Sequence, residues 1–205
     1  MTNHIEDIRE DLAFMKALAK DEGRIPALFG WHMIAAGLIY GVPIIPAWAI
    51  ARGLLDLPMS WSSMVSIYST IVYLPVVTLL SLKGRQPVQP EATGRQFLAG
   101  WAVVGMTTLV ILAVIFIAGA RLHEPRMWQV WTALCFALYG AAWLVVSVVR
   151  RSWSWGLVAA GSYATAVVNA CLISTPDVIL GCGIGIIAWL AGPGVVILLK
   201  ARAAT

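Results

Sequence analysis

Hydrophobic residues in this chain fall into six long, nearly uncharged blocks, and most charged residues lie between the blocks or at the ends. A helix that crosses a bilayer needs about 20 apolar residues, and each block is long enough. The predicted membrane spans are 26–51, 60–82, 97–120, 127–149, 153–174 and 178–199. The pattern therefore predicts an all-α, polytopic membrane protein, in which residues 25–200 form a compact bundle of six transmembrane helices.

The composition leads to the same class of protein. The 205 residues are 60% hydrophobic and 12% charged, whereas a soluble domain is about 25% charged. One water-soluble core of this size cannot bury so much apolar surface, so membrane lipids must solvate the remainder. One membrane domain takes up nearly the whole length, and we expect no separate soluble catalytic domain.

The basic residues predict how the spans are oriented. With the N-terminus in the cytoplasm, eleven of the 14 Lys and Arg residues lie inside, and Arg52, Arg121 and Arg126 lie outside. This distribution follows the positive-inside rule. Both termini, including the short tail at 201–205, are therefore predicted to be cytoplasmic, in a membrane of the bacterial plasma (inner) membrane type. The net charge of +4 does not indicate nucleic-acid binding, because the basic residues sit at membrane edges.

Residues 1–24 predict a short cytoplasmic amphipathic helix. Its apolar stripe contains Ile5, Ile8, Leu12 and Met15, which recur at spacings of three and four. Helices that lie on a membrane surface usually carry a strongly basic polar face. Six acidic residues outnumber four basic ones here, so we favour protein contact, within the chain or with another subunit, over a membrane-surface anchor.

Polar side chains form stripes on two predicted spans. The members are Ser62, Ser66, Ser69 and Tyr73 in the second span, and Ser162, Thr165 and Asn169 in the fifth. Two facing stripes of this kind could line a path or a site for a small solute. The alternative is that they hydrogen-bond neighbouring helices, a normal use of Ser, Thr and Asn in membranes. Asn169 is the strongest single candidate, because an amide deep inside a span needs a partner.

Small residues predict where helices approach closely. Gly37 and Gly41 form a GxxxG pair in the first span, and Gly181 and Gly185 form another in the sixth. Such pairs let two helix backbones come close together. We therefore predict that the first and sixth spans pack against each other through these faces.

Residues 192–194, Gly192, Pro193 and Gly194, predict an interruption of the sixth span inside the membrane. A broken helix frees backbone carbonyls, which protein, water or an ion must then satisfy. The interruption predicts a hinge or a binding site, and a tolerated kink is the alternative.

The two halves of the chain show a faint internal similarity. Residues 37–41 resemble 136–140, and the Ser-Trp-Ser sequence at 60–62 recurs at 152–154. A three-span unit repeated in tandem inserts its second copy upside down, as in many transporters. The similarity suggests a 3+3 inverted repeat, against which chance matches in low-diversity membrane sequence are the alternative.

Chemistry-bearing residues are sparse within the spans. The middle of every predicted span lacks Asp, Glu, Lys and Arg, which argues against a proton-coupled pump. No His, Glu or Cys cluster has metal-ligand spacing, and no motif marks a nucleophile. Just inside the first span, His32 could be a proton-sensitive group, but the favoured interpretation is an interfacial histidine satisfied by water or a headgroup. We expect no metal and no cofactor, and the pattern does not favour an enzyme.

Two functional hypotheses follow. The first is a small homo-oligomeric transporter or channel for a neutral or weakly charged solute, based on the polar stripes, the interrupted sixth span and the repeat. The alternative is a non-catalytic accessory or signalling subunit that contacts its partner through the N-terminal amphipathic helix. Self-association or another membrane subunit is accordingly the expected protein partner.

Overall fold

A computed structural model describes residues 27–83, 92–124 and 126–203, apart from the side chains at 59, 62, 63, 66, 67, 83 and 92–99. The predicted amphipathic helix, with Ile5, Ile8, Leu12 and Met15, lies outside these residues, so its partner contact stays a prediction. Every regular element in the described ranges is helical. In chain order they are α1 (Ala27–Ala51), α2 (Met59–Lys83), α3 (Ala92–Leu122), α4 (Met127–Val149), α5 (Trp153–Cys171), α6 (Asp177–Ile186), a π-helix (Ile187–Ala191) and α7 (Gly192–Arg202).

The all-helical membrane class is confirmed. Four helical segments are long and apolar enough to cross a membrane: Ala27–Ala51, Gly100–Leu122, Met127–Val149 and Asp177–Arg202. Helix α2 is strongly apolar only over Tyr68–Leu82, and α5 carries Ser, Thr and Asn among its 19 residues. These polar side chains lower the hydropathy of the second and fifth predicted spans.

Helix α1 has a central place in the packing. It lies along α2 on one side and along the last helix, from α6 through α7, on another. Helix α5 packs closely along α4 and also contacts α6, whereas α3 packs along α4. A short turn joins α4 to α5, and Arg151 adopts a left-handed backbone conformation there (φ 45°). This turn makes α4 and α5 an antiparallel pair.

Aromatic side chains form the core at one end of the domain. The fully buried Trp143 of α4 stacks on Trp155 of α5, with ring centroids 5.0 Å apart and planes 4° from parallel. Trp101 of α3 meets Trp143 edge-on, also at 5.0 Å. Met33 of α1 and Ile197 of α7 complete the buried cluster. This aromatic core therefore joins five helical segments of the chain.

The last helix differs from its sequence-based prediction. The backbone stays helical through Gly192, Pro193 and Gly194, and α7 begins at Gly192. The irregularity lies one turn earlier, where the amide of Gly192 donates to the carbonyl of Ile187 in the π-helix. Proline cannot donate to the carbonyl four residues before it and clashes with that group. The wider π turn accommodates this defect, so the expected interruption is replaced by a bulge in a continuous helix.

The predicted packing of α1 against the last helix is present, but the last helix uses a different face from the one predicted. A Cβ atom on Gly37 would lie 2.6 Å from the backbone nitrogen of Ala191, and one on Gly41 would lie 3.1 Å from the carbonyl oxygen of Gly183. Gly181 and Gly185 instead point towards α5 and α4, where Asn169 and Phe136 are their nearest neighbours. Since residues 181 and 183 lie on different helix faces, α1 packs against the Gly183 face.

Candidate functional site

Two members of the polar stripe of α5 are fully buried between helices, and Thr165 is half-buried. Ser162 and Asn169 both have 0% exposure. The Ser162 hydroxyl donates to the Val158 carbonyl at 2.9 Å, and the Asn169 amide donates to the Thr165 carbonyl at 3.1 Å. Both donors thus bond carbonyls one turn earlier in their own helix, a pattern that satisfies a polar side chain without a partner helix.

Thr165 links this stripe to the last helix. Its hydroxyl donates to the Gly161 carbonyl at 2.9 Å and accepts from the indole nitrogen of Trp189 at 2.7 Å. A Cβ atom on Gly161 would lie 2.0 Å from the Trp189 ring, so the glycine leaves the space that the indole fills. This contact was not predicted from the sequence, although Gly161 and Thr165, four residues apart, share one helix face.

Asn169 keeps one polar atom without a hydrogen bond. Its side-chain oxygen Oδ1 has no hydrogen-bond partner among the described residues. The oxygen lies against α6, and a Cβ atom on Gly181 would come within 2.8 Å of it. Only a glycine allows the carbonyl to approach the backbone this closely, and Cα–H groups give such an oxygen a weak electrostatic contact.

The stripe on α2 lies against α1. Ser69 is buried, and the ring of Tyr73 packs against Tyr40 of α1 with centroids 5.4 Å apart. The Tyr40 hydroxyl donates to the Thr70 hydroxyl at 3.2 Å. The side chains of Ser62 and Ser66 lie outside the described part of the chain. The contact of Tyr40 with this stripe was not predicted from the sequence.

His32 provides a second polar link between α1 and α2. Its Nδ1 lies 2.7 Å from the Leu28 carbonyl, and its Nε2 lies 3.2 Å from the Ser81 hydroxyl. A carbonyl only accepts, so Nδ1 carries the hydrogen of the bond to Leu28. Both ring nitrogens thus have a hydrogen-bond partner within the protein, where the sequence predicted water or a headgroup.

The two stripes therefore do not line a common path among the described residues. Helix α2 packs along α1, whereas α5 packs along α4 and the last helix. Each stripe is in contact with its own neighbour, through Tyr40 in one case and Trp189 in the other. The facing arrangement expected from the sequence is not what the helices form.

A charged clamp joins α1 to the last helix at the other end from the aromatic core. The carboxylate of Asp177 accepts from the Arg52 guanidinium, with Nε at 3.0 Å, and from the Trp48 indole nitrogen, also at 3.0 Å. Arg52 follows the first predicted span, and Asp177 precedes the sixth. Opposite charges at the same ends of two spans that were predicted to pair are the signal that could have identified this clamp.

Two concave surfaces among the described residues are apolar crevices. One of about 390 Å³ follows the outer face of α3 along Val103, Met106 and Val110. Another of about 230 Å³ lies between α5 and α7 and includes Trp155 and Pro193. Within the described ranges, no three His, Cys, Asp or Glu residues come together as a metal site.

The chain was compared with known proteins in three ways. No family model, no curated protein and no solved structure matches it.

Proposed function

We propose that this chain is a non-catalytic accessory or signalling subunit of a membrane complex, with six spans and both termini in the cytoplasm. The observation that carries the proposal is the polar stripe of α5. Its hydroxyls and amide donate within their own helix, and Thr165 also receives the Trp189 indole. The bond between Thr165 and Trp189 fixes helix packing, and donors satisfied within their own helix leave no row of free donors for a solute.

The outer helices support the same proposal. Helix α3 packs along α4, and only 6% of the apolar stretch within Gly100–Leu122 is buried in the domain. Gly105 of α3 has open space where a side chain would begin, and Thr107 is exposed on another face of the same helix. A second protein in the membrane can approach the helix closely at the glycine or bond the hydroxyl on the other face.

The test compares the full chain with a variant lacking residues 1–22, each extracted from native membranes and studied by native mass spectrometry. We expect a second polypeptide in fixed stoichiometry with the full chain and its loss from the variant. The variant should keep the unfolding temperature of the full chain, because in this proposal the N-terminal segment contacts the partner rather than the membrane domain. A variant that retains the same partner would contradict the N-terminal contact, and a full chain bound only to itself would contradict the accessory role.

A second candidate, permeation of a small neutral solute through a homo-oligomer, is favoured by one observation. The Oδ1 atom of Asn169 is buried without a hydrogen bond among the described residues, and a π-helix lies on the same side of α5. Such bulges occur frequently at functional sites.

Permeation is tested by stopped-flow light scattering of proteoliposomes that are challenged with glycerol or urea. If Asn169 lines the route, Asn169→Leu abolishes the flux while the protein remains folded. Ser162→Ala serves as the matched control on the same stripe, because that hydroxyl bonds its own helix. Equal flux in liposomes with and without the protein would remove this candidate.

A further inference from the structure

The crevice between α5 and α7 has an apolar floor and a cationic rim. Trp155 and Val158 line it from α5, and Pro193 and Val196 line it from α7. Lys200 lies one helical turn beyond Val196, with its ammonium nitrogen 5.5 Å from the centre of the Trp155 ring. The exposed Arg151 stands three residues before Ser154, another lining residue. Apolar and cationic groups thus meet at one end of the crevice.

The crevice has about the depth of one membrane leaflet. Its lining on the last helix extends from Ala188 to Val196, a rise of about 12 Å at roughly 1.5 Å per helical residue, and Lys200 lies about 6 Å further along the same helix. Half of a bilayer core about 30 Å thick is about 15 Å. A chain of methylene groups lying in the crevice would therefore begin at the level of Lys200 and end near the middle of the membrane.

The described segments that form the rim carry charge of one sign. Residues 127–176 and 178–205 contain no Asp or Glu, so the segments that form the rim supply cations alone. A basic pocket between transmembrane helices is the feature that binds acidic lipid headgroups. The Lys200 ammonium is also held near the rim by its contact with the Trp155 ring, since a cation is attracted to the face of an indole.

We propose that this crevice binds an anionic phospholipid, with an acyl chain between α5 and α7 and the phosphate at Lys200 and Arg151. The phosphate complements the cationic rim, and the acyl chain covers the apolar lining. This inference is independent of the subunit role, because it requires only that the domain lies in a membrane.

Gly192 provides a direct way to fill the crevice. It lies in the lining, and a Cβ atom there would have no heavy atom within 4 Å. Its backbone is helical (φ −55°, ψ −57°), so a larger side chain can be introduced without backbone strain. Gly105 on α3 has the same open space and is the matched control away from the crevice.

The experiment uses the full chain in detergent with phosphatidylglycerol or phosphatidylcholine of identical acyl chains, and native mass spectrometry measures the lipid retained. We expect preferential retention of phosphatidylglycerol. Lys200→Gln should weaken its binding about fivefold, the effect of about one cation near an anionic lipid, and Arg121→Gln at the opposite end should leave it unchanged. Gly192→Phe should abolish retention, and Gly105→Phe should not.

Three results would overturn the proposal. They are equal retention of the two lipids, undiminished phosphatidylglycerol binding by Gly192→Phe, and phosphatidylglycerol binding that appears only after deletion of residues 1–22. In the last case the acidic N-terminal segment is the natural occupant. If Gly192→Phe fails to fold, Gly192→Leu and Lys200→Gln decide the question by the same criteria.

Discussion

At the scale of single residues, glycines set the distances in the membrane domain. Gly37 lets α1 approach the backbone of the last helix, and Gly161 leaves the space that Trp189 fills. Dispersion contacts and weak hydrogen bonds stabilise helix pairs in lipid, because no hydrophobic effect drives the helices together there. The loss of such close contact is therefore a direct loss of folding free energy.

The first prediction concerns Gly37. In Gly37→Ala, the new Cβ would lie 2.6 Å from both the nitrogen and the Cβ of Ala191, so the two helices must move apart. We expect the free energy of unfolding to fall by about 1–3 kcal/mol, as is typical of an overpacked contact. Thermal unfolding in detergent measures this change. Gly105→Ala has open space and should be neutral or stabilising by up to about 1 kcal/mol. Equal effects of the two substitutions would show that the contact is unimportant.

The second prediction concerns the hydrogen bond between Trp189 and Thr165. Thr165→Val keeps the shape of the side chain and removes the acceptor of the indole N–H. Hydrogen bonds between membrane helices contribute about 0.6 kcal/mol on average and up to about 1.7 kcal/mol. We expect a destabilisation in this range. In a double-mutant cycle with Trp189→Phe, the two losses should not be additive, whereas additive losses would mean that the bond contributes nothing.

At the scale of elements, the apolar blocks correctly predicted where helices lie, but residues near the helix ends changed where α3 begins and where α5 ends. The fifth span was predicted to reach 174, but α5 ends at Cys171 because the chain turns there and Ser174 is left-handed (φ 75°). The third span was predicted from 97, yet α3 begins at Ala92. Helix α3 is thus longer than its apolar block, since residues such as Arg95 and Gln96 are good helix formers.

The polar stripes show why a site is harder to predict than a helix. Their spacing correctly placed Ser162, Thr165 and Asn169 on one side of α5, which is the buried or half-buried side. Spacing along one helix contains no information about which other helix faces it. The indole of Trp189 and the phenol of Tyr40 were therefore not foreseen, although both determine how the stripes are used.

The third prediction concerns the clamp between α1 and α6. Arg52→Asp or Asp177→Arg alone places like charges together and should destabilise the domain. The double exchange should recover part of the loss, by about 0.2–1 kcal/mol, because the pair is partly exposed. The coupling should shrink in high salt, where exposed charges are screened. Thermal unfolding of the four proteins provides the measurement, and a coupling near zero would exclude the clamp.

At the scale of the whole molecule, the described helices differ in how much protein surrounds them. Helix α1 and the last helix are packed on several sides, and the aromatic core ties α4 and α5 to both. Helices α2 and α3 each lie along one main neighbour. The homo-oligomer and the 3+3 repeat stay predictions, because packing within one chain does not determine either.

The fourth prediction concerns the topology. In a background in which Cys135, Cys171 and Cys182 are replaced by alanine, single cysteines are introduced at Leu54, Arg151 and Ala203. A membrane-impermeant maleimide should label positions 151 and 203 from one side of sealed vesicles and position 54 from the other. This pattern follows from six spans with both termini inside. Labelling of positions 54 and 203 from the same side would exclude that topology.

The stacked pair of Trp143 and Trp155 gives the folded protein its own optical label. Two indoles with nearly parallel planes and centroids 5.0 Å apart are close enough to share an electronic excitation, so their near-ultraviolet circular dichroism differs from that of separate rings. Replacement of Trp155 by phenylalanine would remove the contribution of the stacked pair, whereas Trp143 and Trp101 would keep their edge-on contact at 5.0 Å. The spectrum of the unlabelled protein thus reports whether α4 and α5 pack against each other.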